Sequence, residues 1–493
     1  MTPRRPTRLA RPRRKSLPDV VDRLHSDPRC RPRISGCGLC ALLLASGCGS
    51  SSPPPAATLS LPVIAYQGGP IVAAPEVVTV TFAGDTMAAD LQAFGARATS
   101  SPWWNAVRGP FCPAAGAPCV GDGPPGVSVE IAGSPAASYT DSDDGDRSTL
   151  QRWLESAVAE GAIPRPAASA DAHSPSSTIY LLYLPATTTI QYAGLSSCVD
   201  GGFDGYHNFL NVGTQVVAYS VVMECPSEPS PFTGIAAPTL LENTTITASH
   251  EILEAATDPA ATIAYELDWT DRNNRGWMDV EGGGEAADIC VDPFGLNQDQ
   301  TKDGTATVQR IWSNLQAASR LDPCAPIPGG GVYFNASPSQ AFFTVDVGRS
   351  VTFDVRAFSD GPTSNWTLTA QDWSNSIKTT YLTFSIAGGQ TTRDGAQIEV
   401  TAGASVRVTA TLLADPANLD TGEADGALVS VMGNFDAPSA AHVWPFAVTS
   451  TEDAARGIDP TGNGEQVPMH RPRFHRVGGA RARRARRAAQ SMP

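Results

Sequence analysis

Positive charge is what the long middle of this chain has least of. From Cys48 to His470 there are 16 Lys+Arg against 46 Asp+Glu, a balance of about −30. A surface that acidic repels nucleic acid, which excludes a DNA- or RNA-binding role. The same stretch has no G-x-S-x-G, so a serine-hydrolase elbow is excluded. It has no P-loop and no dinucleotide fingerprint, which removes the usual nucleotide cradles. No C-x-x-C pair follows Cys48, so a cysteine-ligated zinc knuckle is excluded. EF-hand spacing is missing as well. No apolar run is long enough to span a bilayer.

The two ends have the basic charge that the middle lacks. Residues 1–48 are Arg-rich up to Arg33, then apolar from Cys37 to Ala45, and close on Leu44-Ala45-Ser46-Gly47-Cys48. A basic start, a short apolar run and small residues before a cysteine describe a bacterial lipoprotein signal. Cys48 is then the expected lipidation site, and 49–62, rich in Gly, Ser and Pro, a flexible tether. The alternative is a secretory signal cleaved elsewhere. Both place the protein outside the cytoplasm: in the cell envelope, touching membrane through a lipid anchor alone, or secreted. Residues 452–493 end in RARRARRAAQ without apolar period and read as a disordered basic tail.

Six cysteines remain after Cys48: Cys112, Cys119, Cys198, Cys225, Cys290 and Cys324. An even count in an exported chain implies disulfides, and sequence order makes 112–119, 198–225 and 290–324 the natural pairing, although six cysteines allow many others.

A change of pattern divides the body into 63–325 and 329–450. In the first part, Val77–Phe82, Val127–Ile131, Ser177–Leu184 and Val216–Met223 have strand composition, and Met87–Arg108 and Leu150–Glu160 read as helices. The strand-helix order is close to that of the minimal zincin half-domain, an α/β fold with helices packed on a mixed sheet. In the second part, 342–347, 350–356, 366–369, 381–386, 397–400, 405–412 and 427–431 are short strands separated by Gly, Asp and Asn. That spacing predicts an all-β immunoglobulin-like sandwich, with no titratable cluster of its own.

The chemistry sits in 247–259, TASHEILEAATDP. His250 and Glu254 are four apart and share a helix face. An imidazole and a carboxylate so placed suit a divalent cation, zinc first. Glu251 stands where the glutamate of HExxH acts as general base. The second histidine of that motif is Glu254 here, giving HExxE. A catalytic zinc takes three protein ligands. Glu285 or Asp288 is the first choice for the third, His207 the second, and Asp258 the third. Asp258 stands at +8 from His250, Ala260 at the +10 position of a metzincin ligand, and Thr257 where a metzincin has glycine, so a metzincin proper is excluded. Calcium is an alternative for Glu285 and Asp288, helped by Asp279, Glu281 or Asp292, because Asp268–Asp292 is dense in oxygen ligands.

Four segments carry a family likeness: Tyr66-Gln67-Gly68-Gly69-Pro70 with the strand up to Gly84; Gly205-Tyr206-His207 before the strand ending at Cys225; Thr257-Asp258-Pro259; and Glu285-Ala286-Ala287-Asp288-Ile289-Cys290, followed by Trp312-Ser313 and Cys324. In order and content they resemble the Exordium, or phosphate-induced protein, family over about 63–325. The likeness implies an extracellular protein. Bacterial members tend to carry HE in the helix, while several plant members have lost it and act in signalling at the cell wall. Two expectations follow. One is a lipid-anchored zinc-dependent hydrolase acting on peptide. The other is a non-catalytic protein that binds cell wall or partner surfaces.

Overall fold

Runs of β-branched and aromatic residues build the sheet on which the HExxE helix lies. A computed structural model describes residues 59–450 except 114–116, 143–147, 169–173, 200–201, 228–235, 261, 269, 282, 292–298, 328–331, 373–380, 393–394, 415–426 and 434–441. The side chains of 279–281 and 427–433 are outside that description too. The signal, Cys48, most of the tether and the basic tail lie outside the described residues.

The first half runs β1 (Ala65–Tyr66), β2 (Glu76–Phe82), α1 (Ala88–Arg97), α2 (Pro102–Val107), β3 (Val127–Ile131), β4 (Ser138–Asp141), α3 (Thr149–Ala159), β5 (Thr178–Pro185), β6 (Thr189–Tyr192), β7 (Leu195–Ser196), β8 (Gly205–Val212), β9 (Gln215–Glu224) and α4 (Leu240–Thr257). Five of these strands form one sheet in the order β3-β2-β5-β9-β8. All neighbours are parallel except the edge strand β8, which runs antiparallel to β9.

Strand parity sorts the side chains between two layers. Ile179, Leu181 and Tyr183 of β5 and Ala218 and Val222 of β9 pack with α1, α2 and α4. Tyr180, Leu182, Val217, Tyr219 and Val221 point the other way, onto α3. With both faces covered, β5 reads as an unbroken apolar run. The single helix expected over Met87–Arg108 is broken. Ser101 accepts from the Trp104 amide as an N-cap and Pro102 opens a second helix. Proline at a first helical position starts a helix rather than continuing one.

After α4 come β10 (Tyr265–Glu266), α5 (Arg275–Glu281), β11 (Gln300–Asp303), β12 (Ala306–Gln309), β13 (Ile311–Trp312), α6 (Asn314–Ala318) and β14 (Cys324–Ala325). β10 pairs with β1, β11 with β12, and β13 with β14. The three disulfides are Cys112–Cys119, Cys198–Cys225 and Cys290–Cys324, the pairing sequence order suggests.

The remainder is all β: β15 (Phe334–Pro338), β16 (Phe342–Thr344), β17 (Ser350–Ser359), β18 (Trp366–Asp372), β19 (Leu382–Ile386), β20 (Gln390–Thr391), β21 (Gly395–Val400), β22 (Ser405–Leu412), β23 (Ala427–Gly433) and β24 (Val443–Thr449). They form two sheets, β15-β17-β22-β19 and β16-β24-β23-β18-β21-β20, over one aromatic-rich core. All seven expected strands form, and β15, β20 and β24 are additional. β24 carries Pro445, which argues against a strand in sequence. Trp444 of β24 stacks edge-on against Trp277 of α5 at 5.8 Å, and Trp277 against Trp312 at 5.5 Å, joining the all-β part to the α/β part. The described residues are mostly sheet with few helices. Among the described residues no helix is long and apolar enough to cross a membrane.

One titration is built into the C-terminal edge of the sheet. Burial, then the charge of and hydrogen bond to Asp85, push the Glu224 carboxyl up from 4.5 to about 7. The folded protein therefore binds this proton more tightly than the unfolded chain. Its contribution to stability is full below pH 4.5 and is lost as pH rises through about 7. Thermal unfolding should show Tm falling between about pH 5 and 7.5, and Glu224→Gln should flatten that slope. An unchanged slope in the variant contradicts this assignment.

Candidate metal centre

α4 starts at a capping box in which Thr239 and Glu242 satisfy each other's amides. From Asn243 to Thr257 every residue is buried. A helix without a solvent face is a central helix, and its polar groups must be met from neighbouring elements. Thr245 donates to the Thr307 carbonyl at 2.7 Å, and Ser220 of β9 donates to the Glu251 carbonyl at 3.1 Å. The helix ends where Pro259 disfavours helical backbone at Asp258, which sits at φ −136°, ψ 61°. The Asp258 carboxylate then accepts from the amides of Ala264 and Tyr265. Asp258 thus ties down the chain after α4 and is not among the grouped ligand atoms, which corrects its place among the candidates.

Four segments meet at the second half of α4. The helix presents His250, Glu251 and Glu254. β8 presents His207, because Tyr206 and Leu210 on its other face belong to the α3 layer. The segment between α5 and β11 contributes Glu285 and Asp288, and β12 contributes Gln309. His250 Nε2 stands 3.0 Å from Glu254 Oε2 and 3.7 Å from Asp288 Oδ1. His207 Nδ1 stands 3.6 Å from both Glu251 Oε2 and Glu254 Oε2, and its Nε2 stands 3.8 Å from Glu285 Oε2.

Two glycines make room. A Cβ on Gly205 would meet Thr247 and come within 3.0 Å of Glu251 Oε1, so glycine lets β8 approach the helix. A Cβ on Gly283 would collide with the Asp288 carboxylate.

Gln309 sets the tautomer of His250. Its amide Nε2 donates to the Ala287 carbonyl at 2.6 Å, which leaves Oε1 to face His250 Nδ1 at 2.9 Å. An amide oxygen has no proton, so Nδ1 is the donor. In neutral imidazole the lone pair then lies on Nε2, aimed at Glu254 and Asp288. The Gln309 backbone is fixed in turn by donation from its N–H to Ser249 Oγ at 2.8 Å. Partners of this kind are worth about 10–100-fold in metal affinity. Gln309→Leu should weaken metal binding by that factor, read by competition with a chelator of known affinity. Unchanged affinity contradicts the role.

Burial alone would push the Glu254 carboxyl up. The His250 charge and the hydrogen bonds to His207 and His250 outweigh it and hold the group well below the usual carboxylate range. Glu254 Oε1 makes no hydrogen bond although it is buried.

The donors fit a metal ion. Ligand atoms held at about 2.1 Å around a tetrahedral ion stand about 3.4 Å apart, and the imidazole–carboxylate separations within the two sets below run from 3.0 to 3.7 Å. Two sets of three have ligand atoms within 4.8 Å of one another: His250, Glu254 and Asp288; and His207, Glu251 and Glu254. The first set contains both ligands read from the helix and one of the two first-choice partners. Glu285 lies outside both sets, against His207. Imidazole with carboxylate suits zinc and its first-row neighbours better than calcium, which takes oxygen ligands. Asp268, at the start of the acidic stretch, is exposed and turned onto Thr270. Asp292 and the side chains of Asp279 and Glu281 lie outside the described residues.

No family model matches the chain. No curated protein matches it. Among solved structures it is similar to a conjugative transposon lipoprotein from Bacteroides eggerthii, at 14% identity and TM-score 0.18, over 23% of this chain and 95% of that one. Domain 1 of VCBP3 from Branchiostoma floridae is similar at 10% identity and TM-score 0.16, over 25% and 98%. Domains 4 and 5 of the S-layer protein SbsC are similar at 14% identity and TM-score 0.15, over 23% and 44%.

Proposed function

We propose that the protein is an extracytoplasmic, lipid-anchored zinc-dependent hydrolase acting on peptide bonds, built on a zincin-like α/β half with an immunoglobulin-like sandwich beside it. The observation that carries this reading is the convergence of His250 Nε2, Glu254 and Asp288, with Glu251 adjacent on the same helix. An Exordium-like relationship agrees with it. Gly69 and Val72, from the first likeness segment and just beyond it, bond to Ile263 and Ala256 around the end of α4. The Gly205-Tyr206-His207 segment supplies His207, and the Glu285–Cys290 segment supplies Asp288.

His250, Glu254 and Asp288 would hold zinc, which when bound acts as a Lewis acid toward a carbonyl and makes water a better nucleophile near neutral pH. Glu251 accepts the proton of the attacking water as its oxygen bonds to the carbonyl carbon. It returns a proton to the nitrogen as the C–N bond breaks, giving acid and amine. Gln309 keeps His250 in the ligating tautomer throughout.

The full chain should cleave members of a casein or peptide library. Cleavage should stop on chelation and return with added zinc. No cleavage with zinc bound would favour a second reading, which burial supports. The six candidate side chains are between 0 and 8% exposed, and closed metal sites are typically structural. On that reading the metal braces a protein whose sheets bind cell wall or partner surfaces.

A further inference from the structure

We infer that the cluster is a two-ion centre in which Glu254 bridges a second metal position formed by His207 and Glu251. The inference rests on the metal-binding part of the reading above and goes beyond its single ion. The two imidazoles belong to different ligand sets, and Glu254 is the one residue common to both. One oxygen of Glu254, Oε2, faces His250 Nε2 at 3.0 Å and His207 Nδ1 at 3.6 Å. Its other oxygen, Oε1, is buried without a hydrogen bond. A carboxylate so placed can give an oxygen to each of two ions, as carboxylates do in two-metal sites whose ions lie about 3.5–4 Å apart.

The two imidazoles are also arranged alike. Each turns one nitrogen toward Glu254 and the other toward a group that orients it. For His250 that group is Gln309, at 2.9 Å. For His207 it is Glu285, a charge contact at 3.8 Å from Nε2 rather than a hydrogen bond. Glu285, the one of the two first-choice ligands that joins neither set, thereby acquires a place as the positioning residue of the second imidazole. Gly205 belongs to the same design, since it allows β8 to bring His207 against Glu251. The donors are nitrogen and carboxylate oxygen without thiolate, which suits zinc, manganese or iron. An ion in this second position takes Glu251 as a ligand, so Glu251 acts as base only when that position is empty and the first ion is bound.

Titration of the metal-depleted full chain with Mn²⁺, followed by electron paramagnetic resonance, reads both number and proximity. The expected result is two equivalents with a spin-coupled signal at saturation, and one equivalent with an uncoupled signal in His207→Asn. One equivalent in the unaltered chain, with no coupling and no change in His207→Asn, overturns the second ion and leaves the first. No bound equivalent with either Mn²⁺ or Zn²⁺ overturns both. The count and coupling in the unaltered chain decide the matter even if the variant does not fold.

Discussion

Glu254→Ala is expected to remove all bound metal and to cost about 3–5 kcal/mol of stability, the range for breaking a buried ion pair from one side. Glu254 is 1% exposed and interacts with both His207 and His250. Its loss leaves both imbalanced: each imidazole keeps its remaining carboxylates, Asp288 for one and Glu251 and Glu285 for the other, without the group that joins them. Glu254→Gln keeps the shape but not the charge. It should lose metal as completely while costing less stability, because the amide can still accept one hydrogen bond. Elemental analysis and denaturant unfolding read the two effects separately. Retention of metal in both variants would contradict the assignment of Glu254 as a ligand.

The second large effect is Glu251→Gln. Its carboxylate is 1% exposed, and the helix turn beneath it is pinned by the Ser220 hydroxyl on the Glu251 carbonyl. A glutamine fits the same space and cannot accept the proton of the attacking water. Hydrolysis should fall about 10²–10⁴-fold, the usual worth of a positioned general base. At least the ion held by His250, Glu254 and Asp288 should stay bound. A variant that cleaves as fast as the parent removes Glu251 from the chemistry.

Much of this centre can be read in the sequence because its signals are local. The i, i+4 spacing of His250 and Glu254 fixes a shared helix face wherever the helix goes. Seven strands of the second unit were legible for the same reason, since alternation and turn residues declare them within a few positions, while β15, β20 and the proline-bearing β24 were not. What the sequence hides depends on register between distant elements. His207 faces the helix because β8 pairs antiparallel with β9 so that His207 lies opposite Ser220; a one-residue slip would send it to the α3 layer. Gln309 has no motif around it, and its role exists because β12 lies along α4 and the Ala287 carbonyl claims its amide nitrogen. Asp258 ranked among the ligands by distance along the chain, but the helix ends one residue before it, and its carboxylate serves the loop amides instead. The broken helix at Ser101-Pro102 was readable: a serine N-cap followed by proline is a start signal, outweighed in sequence by the apolar pattern running through it.

The central claim is that His250, Glu254 and Asp288 hold a metal ion. Diffraction data from crystals of the zinc-loaded protein, collected on both sides of the zinc absorption edge, test it most directly. The account predicts an anomalous peak bonded to His250 Nε2, a Glu254 oxygen and an Asp288 oxygen at about 2.0–2.2 Å. Zinc-loaded crystals with these three side chains ordered and no anomalous peak among them would contradict it.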